Sequence, residues 1–206
     1  MHKLAGPVGV LVCLLAAGAC DDKTPTSPTS PGPGPGPGPS PTATLTATRF
    51  LAFGDSLTEG EITSPAPNSI QLAPMVVVPN ASYPARLQER LRSRYRSQAS
   101  ELTVTNAGRS GELVANGEAR LAQLLANSQT QALLLLHGYN DLLDYGAGGV
   151  SPASASINRL ARDGRFRGAR VFIGLMPPPI PGRQRSVPDD VVRAFNDELR
   201  AIAAGE

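Results

Sequence analysis

The sequence predicts an α/β domain, with a parallel sheet between helices. Three observations carry this. From Arg49 onward, short apolar runs alternate with stretches whose apolar residues recur at helical spacing. The runs are short and wholly apolar, which suits strands buried on both faces. Several of them end in a small, polar, glycine-containing cluster. Strands that alternate with helices pair in parallel, because each helix carries the chain back across the sheet.

Arg49 to Phe53 is an apolar stretch that stops at Gly54 and reads as the first strand. Tyr83, Leu87, Leu91 and Tyr95 recur every fourth residue, so Tyr83 to Ser97 reads as an amphipathic helix. Leu102 to Thr105 alternates and is bounded by Asn106-Ala107-Gly108, a second strand. Leu121, Leu124 and Leu125 mark one face of a helix over Ala119 to Leu125, and Ala132 to Leu136 is a central strand. Ile157 to Ala161 reads as helix and Arg162 to Arg170 as a charged turn. Val171 to Met176, closed by Pro177-Pro178-Pro179, is the fourth strand. Val191, Ala194, Phe195, Leu199 and Ile202 define a last helix, with Pro188 and Asp189 near its start. Glu61 to Ala81 reads as a long proline-rich loop whose apolar Met75 to Val78 either walls an acyl or sugar pocket or packs on the sheet.

Ahead of this domain, taken as residues 48–206, the chain has a different character. Met1 to Lys3 is basic, Leu4 to Ala17 apolar, and the run ends Ala17-Gly18-Ala19-Cys20-Asp21. The apolar run is too short to span a bilayer comfortably and reads as the core of a secretory signal. Its end resembles the lipobox of bacterial lipoproteins, with Ala17 where a leucine is usual. That resemblance implies a signal peptide over 1–20, lipidation of Cys20, and a protein held by its lipid anchor at the membrane, on the periplasmic or extracellular face of the cell envelope. Residues 21–47 form a Pro/Gly/Thr/Ser linker with the Gly-Pro repeat of Pro31 to Pro39. Its composition holds too little apolar surface to repay ordering. About 25 such residues at about 3.1 Å each would reach roughly 75 Å.

Hydrophobic residues at 41% and charged residues at 17% suit a globular core, and a formal net charge of +2 gives no electrostatic hold on nucleic acid. The basic cluster Arg86, Arg90, Arg92, Arg94 and Arg96 reads as a solvated helix face. Both cysteines, Cys13 and Cys20, precede the domain, and the histidines are His2 and His137 alone. The domain therefore has neither a disulfide nor a thiol nucleophile, and no Cys/His metal site.

In parallel sheets, ligands gather at the carboxyl ends of the strands. Three polar clusters follow strands here: Gly54-Asp55-Ser56, Asn106-Ala107-Gly108 and Gly138-Tyr139-Asn140-Asp141. Together they bring a hydroxyl, a glycine amide and a carboxamide to one rim, the parts that acyl transfer needs. Gly54 to Thr58 does not fit the G-x-S-x-G elbow, since position 58 is Thr.

The three clusters, in this order, resemble the first three sequence blocks of the GDSL, or SGNH, hydrolase family. The resemblance implies a flavodoxin-like three-layer sandwich and a serine esterase or lipase that needs no cofactor or metal. Ser56 would be the nucleophile. The Ser56 and Gly108 amides and the Asn140 side chain would form the oxyanion hole, with Asp55 and Asp141 as acceptors of backbone hydrogen bonds. Substrates would be small-molecule, glycan or lipid esters. The family's Asp-x-x-His, which follows a fifth strand and completes the triad, is absent from the chain. The expectation is therefore a domain incomplete at its C-terminus, with the fifth strand missing. His137 is expected at the rim, as a satisfied histidine or a substrate contact rather than a base. As written, the chain is expected to be poorly soluble and slow or inactive on p-nitrophenyl acetate. The alternative is a non-catalytic binding lipoprotein with a degenerate form of the fold.

Overall fold

The computed structural model describes residues 44–63, 75–178 and 186–205. The expected signal peptide, the lipidation site Cys20, the linker up to residue 43 and Pro179 lie outside them. The last linker residues do not hang free of the domain. Leu45 exchanges two hydrogen bonds with the Gln98 side chain, and Thr46 Oγ1 accepts from Arg170.

Four parallel strands form the main sheet in the order β4-β1-β5-β6: β1 (Arg49–Gly54), β4 (Thr103–Gly108), β5 (Ala132–Leu136) and β6 (Arg170–Ile173). The four expected strands are these. Register aligns Gly54 with Gly108 on one side and with Leu136 on the other, so three strand ends share one edge. Side chains alternate across the sheet. Leu51, Phe53, Leu133 and Leu135 are buried in one cluster with Leu121, Ile157, Leu160, Phe195 and Leu199. These come from α3 (Val114–Asn127), α5 (Val150–Phe166) and α6 (Asp189–Ala204). On the alternate register Ala52 and Ala132 are buried, Phe50 and Leu134 are half-buried and Phe172 is exposed. The helix α2 (Tyr83–Arg94) runs along β4, where Gln88 accepts from Val104 N at 2.9 Å and Arg92 donates to Leu102 O at 3.0 Å. Its arginines are solvent-exposed, as a solvated face requires.

Three local readings need correction. Within the Glu61 to Ala81 stretch, β2 (Glu61–Thr63) and β3 (Met75–Val77) pair antiparallel. Met75, Val76 and Val77 are 41–45% exposed, so they do not pack on the sheet. Arg162 to Phe166 continues α5, because Ala161 and Gly164 face the core while the charged residues between them face outward. Two short helices at strand ends, α1 (Ser56–Glu59) and α4 (Tyr139–Tyr145), follow β1 and β5 directly.

Candidate active site

The site is built from the turns at the carboxyl edge of β1, β4 and β5. Gly54 ends β1 where no side chain fits: a Cβ there would lie 1.9 Å from Leu136 O and 2.2 Å from Thr58 Oγ1. Asp55 then caps α1. Its Oδ1 accepts from Leu57 N at 3.0 Å, and its Oδ2 from Gly138 N at 3.2 Å and Tyr139 N at 3.1 Å. One buried carboxylate thus ties the turn after β1 to the turn after β5. Thr58 adds a second tie by donating to Leu136 O at 3.0 Å. Ser56 is the first residue of α1, and neither its amide nor its hydroxyl has a hydrogen-bond partner among the described residues.

Behind β4 the chain makes a tight loop before α3. Gly108 packs flat on α1: a Cβ would sit 2.1 Å from Glu59 N. Its amide donates to Asn106 Oδ1 at 2.9 Å and is engaged within its own turn. Ser110 N and Oγ both donate to Glu59 Oε2 at 2.6 Å, which clips the loop to α1. Gly111, at φ +75°, has open space where a side chain would be, and its amide has no partner among the described residues. The positive φ suits glycine, which lacks the Cβ that penalises this conformation.

After β5, Gly138 at φ +116° starts α4, where Phe195 fills the space a side chain would take. Asn140 is buried, and its Nδ2 donates to Glu112 O at 3.1 Å. This bond ties the carboxamide to the loop after β4. Asp141 Oδ2 accepts from Val114 N at 3.1 Å and caps α3, which matches its expected role as an acceptor. Burial pushes the Asp141 carboxyl above its usual range, against that hydrogen bond and the charge of His137.

His137 departs from expectation: it is not on the rim. It is 1% exposed and lies against Phe53 with ring centroids 5.8 Å apart. Its Nε2 is 3.3 Å from Glu112 Oε2, and its Nδ1 3.7 Å from Asp55 Oδ2, beyond hydrogen-bond length. Burial works against its charge, but the Asp55 and Glu112 carboxylates outweigh it and raise its pKa above 6.5. Glu112 is also held by Arg120, through Nε at 3.0 Å to Oε1 and through Nη2 to Oε2. Desolvation would raise the Glu112 carboxyl, yet His137 and Arg120 bring it down to about 2. Arg120 itself donates to Ala107 O at 2.7 Å and stacks 4.0 Å over the Phe53 ring.

Sequence reasoning missed Gly111, Glu112, Arg120 and Glu59. The available signal was local: Gly108-Arg109-Ser110-Gly111-Glu112 is a polar turn with two glycines, directly after a strand and before a helix.

A parallel sheet flanked by helices, with its polar groups gathered at one strand edge, is an α/β framework with its ligand site at the carboxyl ends of the strands. The chain belongs to the GDSL-like lipase/acylhydrolase family, whose profile matches residues 52–206. Solved structures agree in fold. TesA is 25% identical, covers 76% of this chain and 73% of its own, and superposes with a TM-score of 0.54. Est24, a carbohydrate acetylesterase from Sinorhizobium meliloti, is 17% identical over 76% of this chain and 80% of its own, with a TM-score of 0.60. EstA, a psychrotrophic esterase from Pseudoalteromonas sp., is 19% identical over 77% and 73%, with a TM-score of 0.55. Among curated proteins no sequence matches the chain. By its family, then, this is a carboxylic ester hydrolase.

Proposed function

We propose that Ser56 is the nucleophile of this hydrolase and that the reaction proceeds through an acyl-enzyme. Ser56 Oγ attacks the ester carbonyl, its proton passes to a general base of the kind the family's Asp-x-x-His block supplies, and the carbonyl oxygen takes the negative charge. The alcohol leaves with a proton, and water then attacks the acyl-serine and releases the acid. The observation that carries this reading is the state of Ser56. It stands at the carboxyl edge of the inner strand β1, at the start of a helix, with hydroxyl and amide both unpartnered among the described residues.

The oxyanion would be met by the Ser56 amide and the Asn140 carboxamide. Gly108 was the expected third donor, but its amide is committed to Asn106 Oδ1. Gly111, three residues on, has an unpartnered amide in the same loop and takes that place in the proposal. His137 is held between two carboxylates and is not the base in this reading. Small-molecule, glycan and lipid esters all fit the proposed chemistry. The sequence around Cys20 supports a lipid-anchored protein of the cell envelope.

A fluorophosphonate probe tests the nucleophile. Slow labelling of the chain that disappears in Ser56→Ala is the expected result. Labelling that survives in Ser56→Ala sinks the assignment. A folded chain that takes no label at all favours the second reading, a non-catalytic binding protein. The burial of His137, the one histidine among the described residues, is the observation on that side.

A further inference from the structure

Glu112 joins the two halves of the rim. Its carboxylate is buried, with 3% of the side chain exposed, and is gripped by Arg120 and His137. Its backbone carbonyl accepts from Asn140 Nδ2 at 3.1 Å. It directly follows Gly111, whose amide is unpartnered among the described residues. The grip reaches three of the four strands: Arg120 is fixed on Ala107 of β4 and on Phe53 of β1, and His137 follows the end of β5. The carboxylate is too buried to touch a substrate. Nor does core cohesion call for it, since well-packed apolar residues commonly stabilise a fold as well as a buried ion pair does. What a rigid, multiply bonded carboxylate supplies is position. A misplacement of about 1 Å at a reacting centre can cost roughly a hundredfold in rate.

We infer that Glu112 is a positioning residue: its side chain is anchored to the sheet so that its backbone holds the Asn140 carboxamide and the Gly111 amide at one place on the rim. The inference rests on the proposed reading of those two groups as oxyanion donors. It implies a dependence on the charge of His137. That imidazole is faced by Asp55 from the turn after β1, by Glu112 from the loop after β4 and by Asp141 from α4, with Arg120 of α3 acting on it through Glu112. Arg109, largely exposed, also reaches Glu112 at 3.5 Å.

The test uses the full chain, with ¹⁵N–¹H NMR of the Asn140 carboxamide and fluorophosphonate labelling of Ser56. Glu112→Gln keeps the shape and removes the charge. It is expected to shift the Asn140 carboxamide resonances and to slow labelling by about tenfold, less than outright loss of a donor. Glu112→Asp should recover part of both. In the wild type, the Asn140 resonances should titrate with the His137 ring signals. A folded Glu112→Gln protein with unmoved Asn140 resonances and labelling within about twofold of wild type would overturn the inference. If Glu112→Gln does not fold, the wild-type titration decides: Asn140 signals unmoved across the His137 transition overturn it. If the wild type takes no label, the catalytic reading fails, while the Asn140 resonances still decide for or against the anchoring.

Discussion

The carboxamide of Asn106 accepts the amide hydrogen of Gly108 at 2.9 Å, while its nitrogen donates to Glu59 O at 3.2 Å. The strand end is thereby bonded to the helix that carries Ser56, and the Gly108 amide is used in doing so. Gly108 and Gly111 consequently have separate duties, the first steric and the second conformational.

Substitution by alanine separates them. At Gly108 a Cβ would strike the backbone of α1 at Glu59 N, Glu59 Cα and Thr58 C, all within 2.7 Å. Backbone cannot step aside as a side-chain tip can, so Gly108→Ala is expected to cost about 3 kcal/mol or more. At Gly111 nothing stands in the way and only the φ of +75° is unfavourable, which costs about 1–2 kcal/mol. Urea denaturation of the two variants should rank them in that order.

His137 sets the upper pH limit of stability. Its folded pKa is raised, so its contribution is fully present below the ordinary value of 6.5 and is lost as pH rises through the folded value. The free energy of unfolding should therefore fall on going from pH 6 toward alkaline pH. His137→Gln should flatten that slope. A slope unchanged in the variant would assign it to another group.

Glu112 acts on the acid side with the opposite sign. Its folded value of about 2 lies below the ordinary 4.5, so its contribution is present above pH 4.5 and is lost as pH falls toward 2. Stability measured from pH 5 to pH 2 should decline more gently in Glu112→Gln than in the wild type. The two groups together place the widest stability between about pH 4.5 and 6.5.

Phe172 is expected to limit solubility. It is 54% exposed on β6, which pairs only with β5 among the described residues. An exposed aromatic on an outer strand invites pairing between chains. Phe172→Lys should raise the soluble yield and leave the melting temperature within a few degrees, because surface substitutions typically change stability by about 0.5 kcal/mol or less. An unchanged yield, compared by expression and gel filtration, would count against this strand as the cause of aggregation.

The sheet was legible because its strands announce themselves: Ala132 to Leu136 has no polar residue, and Gly54 and Gly108 stop their strands in plain view. The rim followed from the sheet, since parallel strands deliver their ends to one edge. The short helices α1 and α4 were not legible, because four to seven residues are too few to show a helical period. The β2–β3 hairpin stayed hidden because apolar Met75, Val76 and Val77 suggest burial, whereas they are exposed. Arg162 to Arg170 looked like a turn because its charges were read without the buried Ala161 and Gly164 that give them a helical face. The ion cluster needed three dimensions. Asp55, Glu112, Arg120 and His137 span more than eighty positions, and nothing in their spacing says that they meet. The same blindness put His137 on the rim, when its ring turns inward against Phe53.

Phe195 lies where a side chain on Gly138 would otherwise go, with its Cζ 2.7 Å from the place of a Cβ. The helix that carries this ring, α6, lies more than fifty residues along the chain from Gly138, yet it wedges the turn that presents Asn140. Fraying of that helix would withdraw the wedge and slacken the turn while the strands were still zipped together. Loss of function on warming would then precede loss of the sheet, and the enzyme's working range would be narrower than its melting curve.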